Sequence, residues 1–141
     1  MLNKDLINHK FPGGSFTIDK EINNLIKSST GLEISKSTSN EYLVHPIFSM
    51  VALNSIGYTL EELFNLLNYD VRKGPMLGEC EFNLLDTFNL DRNYNVNGFI
   101  ESFESKVSKK IGNFDIMSFK LEITFENRIV SKINYKWILP V

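Results

Sequence analysis

The second half of the chain reads as strands. Four runs rich in Phe, Ile, Val and Tyr succeed one another from Gly78 onward: Glu79 to Leu85, Tyr94 to Val107, Phe114 to Phe125 and Arg128 to Leu139. Within the third, Ser118, Lys120, Glu122 and Thr124 alternate with Met117, Phe119, Leu121, Ile123 and Phe125. A period of two puts these sets on opposite faces of a strand, one toward a core and one toward water. Glu126-Asn127 is a tight-turn pair between the last two runs, and Lys109 to Asn113 closes the hairpin before them. The expected arrangement is an antiparallel meander.

The first half has helical spacing instead. Phe11-Pro12-Gly13-Gly14 reads as a turn after a polar N-terminal stretch, and Phe16-Thr17-Ile18 as a short strand. Asp19 offers an N-cap for a helix from Lys20 to Ser28, with Ile22, Leu25 and Ile26 at helical intervals and Gly31 at its end. Glu33 to Glu41 is polar and uncommitted. Pro46 then suits a first helical position, where its missing N–H costs nothing. Ile47, Phe48, Met50, Val51, Leu53 and Ile56 cover nearly the whole circumference that follows, with Ser49, Asn54 and Ser55 the polar exceptions. A helix apolar almost all round is expected to be buried. Gly57 interrupts it, and Thr59 with Glu62 forms a capping box that opens an amphipathic helix from Leu60 to Leu67. Asn68 to Gly74 reads as a turn. The sum is an α+β layout in which one apolar helix must be covered by a sheet.

Composition narrows the function more than it defines it. The 141 residues, 43% of them hydrophobic, suit one domain over residues 1–141, with no internal repeat or linker. A net charge of −2 leaves no basic footprint for nucleic acid or an anionic membrane surface. Lys106, Lys109 and Lys110 form the main cluster of cations, which a solvated turn explains. A single cysteine, Cys80, rules out a disulfide within one chain and suits a reducing cytoplasm. Two separated histidines and one thiol argue against a zinc site. No apolar run reads as a signal peptide or a membrane span, and no cofactor is expected.

The order of elements, a buried helix followed by a long curved meander, resembles a hotdog fold. Leu43-Val44-His45-Pro46-Ile47-Phe48-Ser49-Met50 is similar to the segment that opens the central helix of MaoC-like dehydratases, in its fatty-acid-synthase-like form. Met76-Leu77-Gly78-Glu79-Cys80-Glu81-Phe82 resembles the strand that follows in that family. Leu90-Asp91-Arg92-Asn93-Tyr94 falls where the family has Gly-Asp, and Phe16-Thr17-Ile18-Asp19 with its helix resembles the N-terminal strand and helix. The likeness runs from Phe16 to Val141. It implies an acyl-thioester protein of the hydratase/dehydratase type, active on or binding an acyl-CoA or acyl-carrier thioester and forming at least a homodimer or a heterodimer with another hotdog subunit.

The family's chemistry sits on a loop of the type Asp-x-Asn-Pro-Ile-His, whose Asp and His bracket the water that adds to the double bond. The corresponding stretch here, Thr30 to Asn40, contains no Asp, no Asn-Pro and no His. The pair cannot be carried over onto any residue. His45 is the remaining catalytic candidate, as an oxyanion donor or general acid at the entrance to the central helix, against the plainer reading of a local cap. Pro46, Ile47 and Asn54 are the candidate substrate-binding residues. A buried Asn54 amide needs a partner, either the thioester or a neighbouring strand.

Glu33 and Glu41 offer bases if their loop folds toward His45, or are solvated acids. Glu79 and Glu81 share one strand face. Cys80 reads as a small buried hydrophobe, and His9 as a solvated residue. Phe82, Phe99, Phe103, Phe114, Phe119 and Phe125 are core or dimer contacts, some of which the resemblance would place along an acyl tunnel. Three functions stay open: a hydratase-type lyase or the non-catalytic acyl-binding half of a hotdog pair, an acyl-CoA thioesterase, and a non-enzymatic acyl-CoA-binding subunit.

Overall fold

The computed structural model describes residues 1–31 and 44–141. Strands β1 (Gly14–Thr17), β2 (Met76–Leu84), β3 (Asn93–Ser108), β4 (Gly112–Phe125) and β5 (Arg128–Pro140) form one antiparallel sheet in the order β1-β3-β4-β5-β2. The alternation along β4 is realised: Asp115, Met117, Phe119, Leu121 and Ile123 are buried. Their neighbours on β5 include Leu139, Trp137, Tyr135 and Ile133, also buried, so both rows face one core. The opposite face is polar and carries the ion pairs Glu79–Lys136 (2.9 Å) and Glu101–Lys120. Glu126 and Asn127 have φ of 47° and 63°, the left-handed pair that a two-residue hairpin turn requires.

The four β-runs do not form a simple meander. Only β3, β4 and β5 do so, whereas β2 crosses to the far edge and pairs with β5. The reason is that β3's outer edge is already occupied. β1 pairs with residues Asn93–Val96, Phe11 N–H donates to Gly98 O (2.9 Å), and Asn8 N–H donates to Ile100 O (2.8 Å). The link from β2 to β3 therefore runs across the end of the sheet. It is pinned by Phe88, which is buried edge-on against Tyr94, and by Asn89 N–H, which donates to the Tyr94 hydroxyl at 2.7 Å.

Helices α1 (Lys20–Ser29), α2 (Phe48–Val51) and α3 (Leu60–Leu66) lie on the sheet's inner side, with α2 continuing as a 3-10 turn, Ala52–Ser55. Asp19 caps α1 and the Thr59/Glu62 box opens α3, both as the sequence suggests. Phe48, Ala52, Ile56, Leu63, Phe64 and Leu67 join the strand residues in one core. Burial of each large side chain here contributes roughly 1.5–3 kcal/mol.

Three expectations fail in instructive ways. The central segment is not buried all round: Phe48, Ser49, Ala52 and Ile56 are, but Ile47 is 37% exposed and Asn54 is exposed. A broken helix on one face of one sheet has an outer side, and Asn54 is on it. In α1 only Ile26 of the apolar set packs against the core; Ile22 and Leu25 are exposed, whereas Asn23 and Lys27 are buried. His9 is not simply solvated, because its Nε2 lies 3.1 Å from the Tyr58 hydroxyl and the two rings stack.

The N-terminal turn and the end of the central segment interlock through glycine. Gly13 N–H donates to Ile56 O (2.9 Å), and Gly57 sits at φ +87°. A Cβ there would lie 2.7 Å from Pro12 Cβ and 2.8 Å from Gly13 O. Gly57→Ala is expected to destabilise the fold by about 2–3 kcal/mol, since a left-handed Ala and a displaced turn add. Gly112→Ala, at φ +71° with nothing within 4 Å, is expected to lose only about 1 kcal/mol. Denaturant unfolding of the two variants checks the difference, and equal losses would show that the close packing at Gly57 contributes nothing.

Candidate functional site

The entrance to α2 is built by hydrogen bonds from two elements. Asn23, wholly buried on α1, accepts the His45 backbone N–H on its Oδ1 at 2.9 Å. His45, half-buried, accepts the Ile47 N–H on its ring Nδ1 at 3.0 Å. That bond requires a bare Nδ1, so the ring proton of the neutral imidazole sits on Nε2. His45 therefore presents an N–H donor, not a base, on its free nitrogen.

The backbone amides at this helix entrance, which could otherwise hold a carbonyl oxygen, are already engaged. Ile47 N–H goes to His45 Nδ1, Phe48 N–H to His45 O (3.3 Å), Ser49 N–H to Pro46 O (3.1 Å) and Met50 N–H to Ile47 O (2.8 Å). Among the described residues, the donor left for a carbonyl at this entrance is His45 Nε2–H. Pro46 and Ile47 are exposed beside it, whereas Asn54 lies further along the outer side of the segment. Glu33 and Glu41 lie outside the described residues.

Beneath the entrance, Ser49 Oγ and Ser131 Oγ are 2.9 Å apart and both residues are fully buried. This pair fixes α2 over the start of β5, directly beside Leu84 of β2, which pairs with Ser131. Cys80 of β2 lies 3.3 Å from Met50 Sδ. The inner row of β2 is thus Cys80, Phe82 and Leu84, running along the flank of α2. Phe82 is 41% and Leu84 37% exposed, and among the described residues no element covers them from the far side. Among the described residues, β2 pairs with β5 alone, so its second edge is open. Glu79 and Glu81 lie on the opposite, outward face, with Glu79 bonded to Lys136.

Sequence reasoning missed Asn23 and Ser131. The signal for each was a polar side chain in an otherwise apolar frame, but its partner lies 22 and 82 residues away respectively. Of the six phenylalanines, Phe119 is fully buried against Tyr135, whereas Phe82 lines the open edge.

With this geometry in hand, solved structures supply the class. A chain of the C-terminally truncated HadBC (3R-hydroxyacyl-ACP dehydratase) complex from Mycobacterium tuberculosis is similar with a TM-score of 0.74 at 11% identity, over 97% of this chain and 99% of that one. A chain of the ChsH1–ChsH2 complex from the same organism gives 0.74 at 9% identity, over 93% and 88%. A MaoC-like dehydratase from Phytophthora capsici gives 0.71 at 10% identity, over 99% of this chain and 50% of that one. The fold is the α+β hotdog fold of the MaoC-like dehydratases, as the sequence motifs imply. At the level of sequence, no family model and no curated protein matches.

The thiol of Cys80 is a poor nucleophile in this setting. Burial raises its pKa, and a hydrogen bond with Tyr135 offsets that only in part. The thiolate fraction at neutral pH is correspondingly small. Alkylation of Cys80 by iodoacetamide is expected to be slower than that of a free thiol at pH 7.5. It should accelerate on raising the pH beyond the ordinary thiol range while the protein stays folded. A fast, pH-independent reaction would show an activated cysteine.

Proposed function

We propose that this chain is an acyl-thioester-binding hotdog subunit of the hydratase/dehydratase type, contributing an acyl-binding wall to a pair without carrying the family's Asp/His couple. The single observation that supports this most is the apolar flank of α2 that, among the described residues, no element covers at the open edge of β2, next to an entrance where His45 Nε2–H is the free donor those residues offer. A second hotdog chain added along that edge would pair β2, cover Phe82 and Leu84, and enclose a slot beside α2. In this reading His45, Pro46 and Ile47 meet the thioester end and the β2 row meets the acyl chain. Asn54, on the outer side, would contact ligand only through the partner's approach. Two of the three similar chains come from structures named as complexes, one of them a hydroxyacyl-ACP dehydratase, which supports a partner chain and a thioester substrate.

Charge favours a partner different from this chain. Symmetric antiparallel pairing of two β2 strands centred on Cys80 sets each Glu79 opposite the other chain's Glu81. Centred on Glu81, that residue faces its own copy; centred on Phe82, the two Glu81 side chains are diagonal neighbours. Like charges directly opposite cost roughly 0.2–1 kcal/mol per pair, enough to tilt the choice toward a chain with basic residues on its edge.

The test is hydration of a crotonyl-type thioester by the chain alone and with a neighbouring hotdog subunit. Hydration is expected only in the mixture. Phe82→Lys, which puts a charge into the covered row, should abolish both the pair in sedimentation and the rate. Glu81→Gln, which removes the like-charge contact in each of these registers, should strengthen self-association several-fold. Hydration by this chain alone would overturn the half-enzyme reading, and release of free thiol instead of hydration would establish the thioesterase alternative.

A further inference from the structure

Ser131 and Leu139 stand at opposite ends of β5, about 26 Å apart at the usual rise per residue. At the Leu139 end the sheet outruns its helices, and a cleft of about 960 Å³ opens on its inner face, lined among others by Leu2, Lys4, Tyr69, Ser105, Asp115 and Leu139. It shares no lining residue with the His45 entrance. Its size and mainly apolar walls are those of a small-molecule site.

Its polar core is a three-membered cluster. Asp115 is 94% buried, since 6% of its surface is exposed. Lys4 Nζ donates to Asp115 Oδ1 and to Ser105 Oγ, both at 2.7 Å, and Ser105 Oγ donates to Asp115 Oδ1 at 2.5 Å. Burial pushes the Asp115 carboxyl up, but the bonds from Lys4 and Ser105 more than reverse this, so the group is ionised and paired with the ammonium. The geometry is not that of a Ser–Lys catalytic pair, because Lys4 donates to Ser105 Oγ while the serine's own proton goes to Asp115 Oδ1.

What the cluster keeps is unused hydrogen-bonding capacity. Among the described residues, Asp115 Oδ2 accepts no hydrogen bond and one of the three Lys4 N–H groups donates none. An acceptor and a donor therefore stand side by side at the head of an apolar cleft. The ion pair is already neutral, so a ligand carboxylate would meet Asp115 and a ligand ammonium would meet Lys4. The other charged side chains lining the cleft balance, Asp5 and Asp70 against Lys73 and Lys106, with Lys106 bonded to Glu104 at 3.2 Å and Asp70 to Arg72 at 2.8 Å.

We propose that this cleft binds a neutral amphiphile, an aliphatic body carrying a head that both donates and accepts, namely a carboxamide or a hydroxyl, with Lys4, Ser105 and Asp115 holding the head and Leu2, Tyr69 and Leu139 the body. The site is independent of the acyl-thioester reading.

The probes are octanamide, 1-octanol, octanoate and octylamine, followed by ligand-observed NMR on the full chain. Octanamide and 1-octanol are expected to bind at least tenfold more tightly than the two ions. Ser105→Ala and Lys4→Met, both at partly exposed side chains, should each weaken octanamide about five- to tenfold, with unfolding temperatures that confirm a folded protein. Leu2→Trp, which fills the cleft, should remove binding. A CoA thioester should not displace octanamide; displacement would place the probe at the His45 entrance and overturn the second site. Equal binding of all four probes, or octanamide affinity unchanged in Ser105→Ala and Lys4→Met, would overturn the recognition of a neutral head.

Discussion

The carbonyls of Gly98 and Ile100 on β3 accept hydrogen bonds from Phe11 and Asn8, and β1 completes the same edge. Because a strand edge offers one row of backbone groups, this occupancy decides where β2 can go. It must pair with β5, the other free edge of the β3–β4–β5 ladder, and from there it flanks α2. The thiol of Cys80 against Met50, the row of Phe82 and Leu84, and the open outer edge all follow from that exclusion. A chain in which residues 8–17 left β3 would expose two sheet edges, and the flank of α2 would lose the register that Ser49 and Ser131 give it.

What could be read in advance was what depends on neighbours along the chain. The alternation in β4, the left-handed Glu126-Asn127 turn, the Asp19 cap and the Thr59/Glu62 box are local, and each appears at the expected residues. The crossing of β2 is not local, since nothing between Leu85 and Arg92 encodes which edge of the ladder is vacant. The inversion of α1 has the same origin. Ile22 and Leu25 look like a core face until Asn23 is found accepting the His45 amide 22 residues on. Asn54 misled for a different reason. An apolar circumference says that a helix will be covered, without saying whether its own chain or another does the covering.

The entrance at His45 shows how a residue type and its chemistry separate. A histidine before a central helix suggests either a base or a pocket of free amides. Here the ring closes on the Ile47 amide and the following amides close on backbone carbonyls, so neither survives. The arrangement instead fixes a tautomer and aims a single N–H outward. Such a group can orient a carbonyl but cannot by itself move the proton that hydration requires. The absence of Asp and His between Thr30 and Asn40 and the engaged amides of α2 are thus two independent reasons for proposing a division of labour with a second chain.

The two ends of the sheet carry opposite solutions to one mismatch of length. β3 has 16 residues and β4 has 14, whereas α2 and its 3-10 continuation together have eight. At about 3.3 Å per residue for a strand and 1.5 to 2 Å for a helix, the strands outreach the helical cover. Where the helices lie, inward positions are mostly apolar, and the buried Ser49 and Ser131 satisfy each other. Beyond them the inward positions of β3 and β4 are Ser105 and Asp115, and the N-terminal segment brings Lys4 to neutralise the charge. An inward Asp in a strand of inward Met, Phe, Leu and Ile is legible from the alternation alone as an exception. Its ion pair with Lys4, set at the head of an apolar cleft, is the ground for proposing a site there.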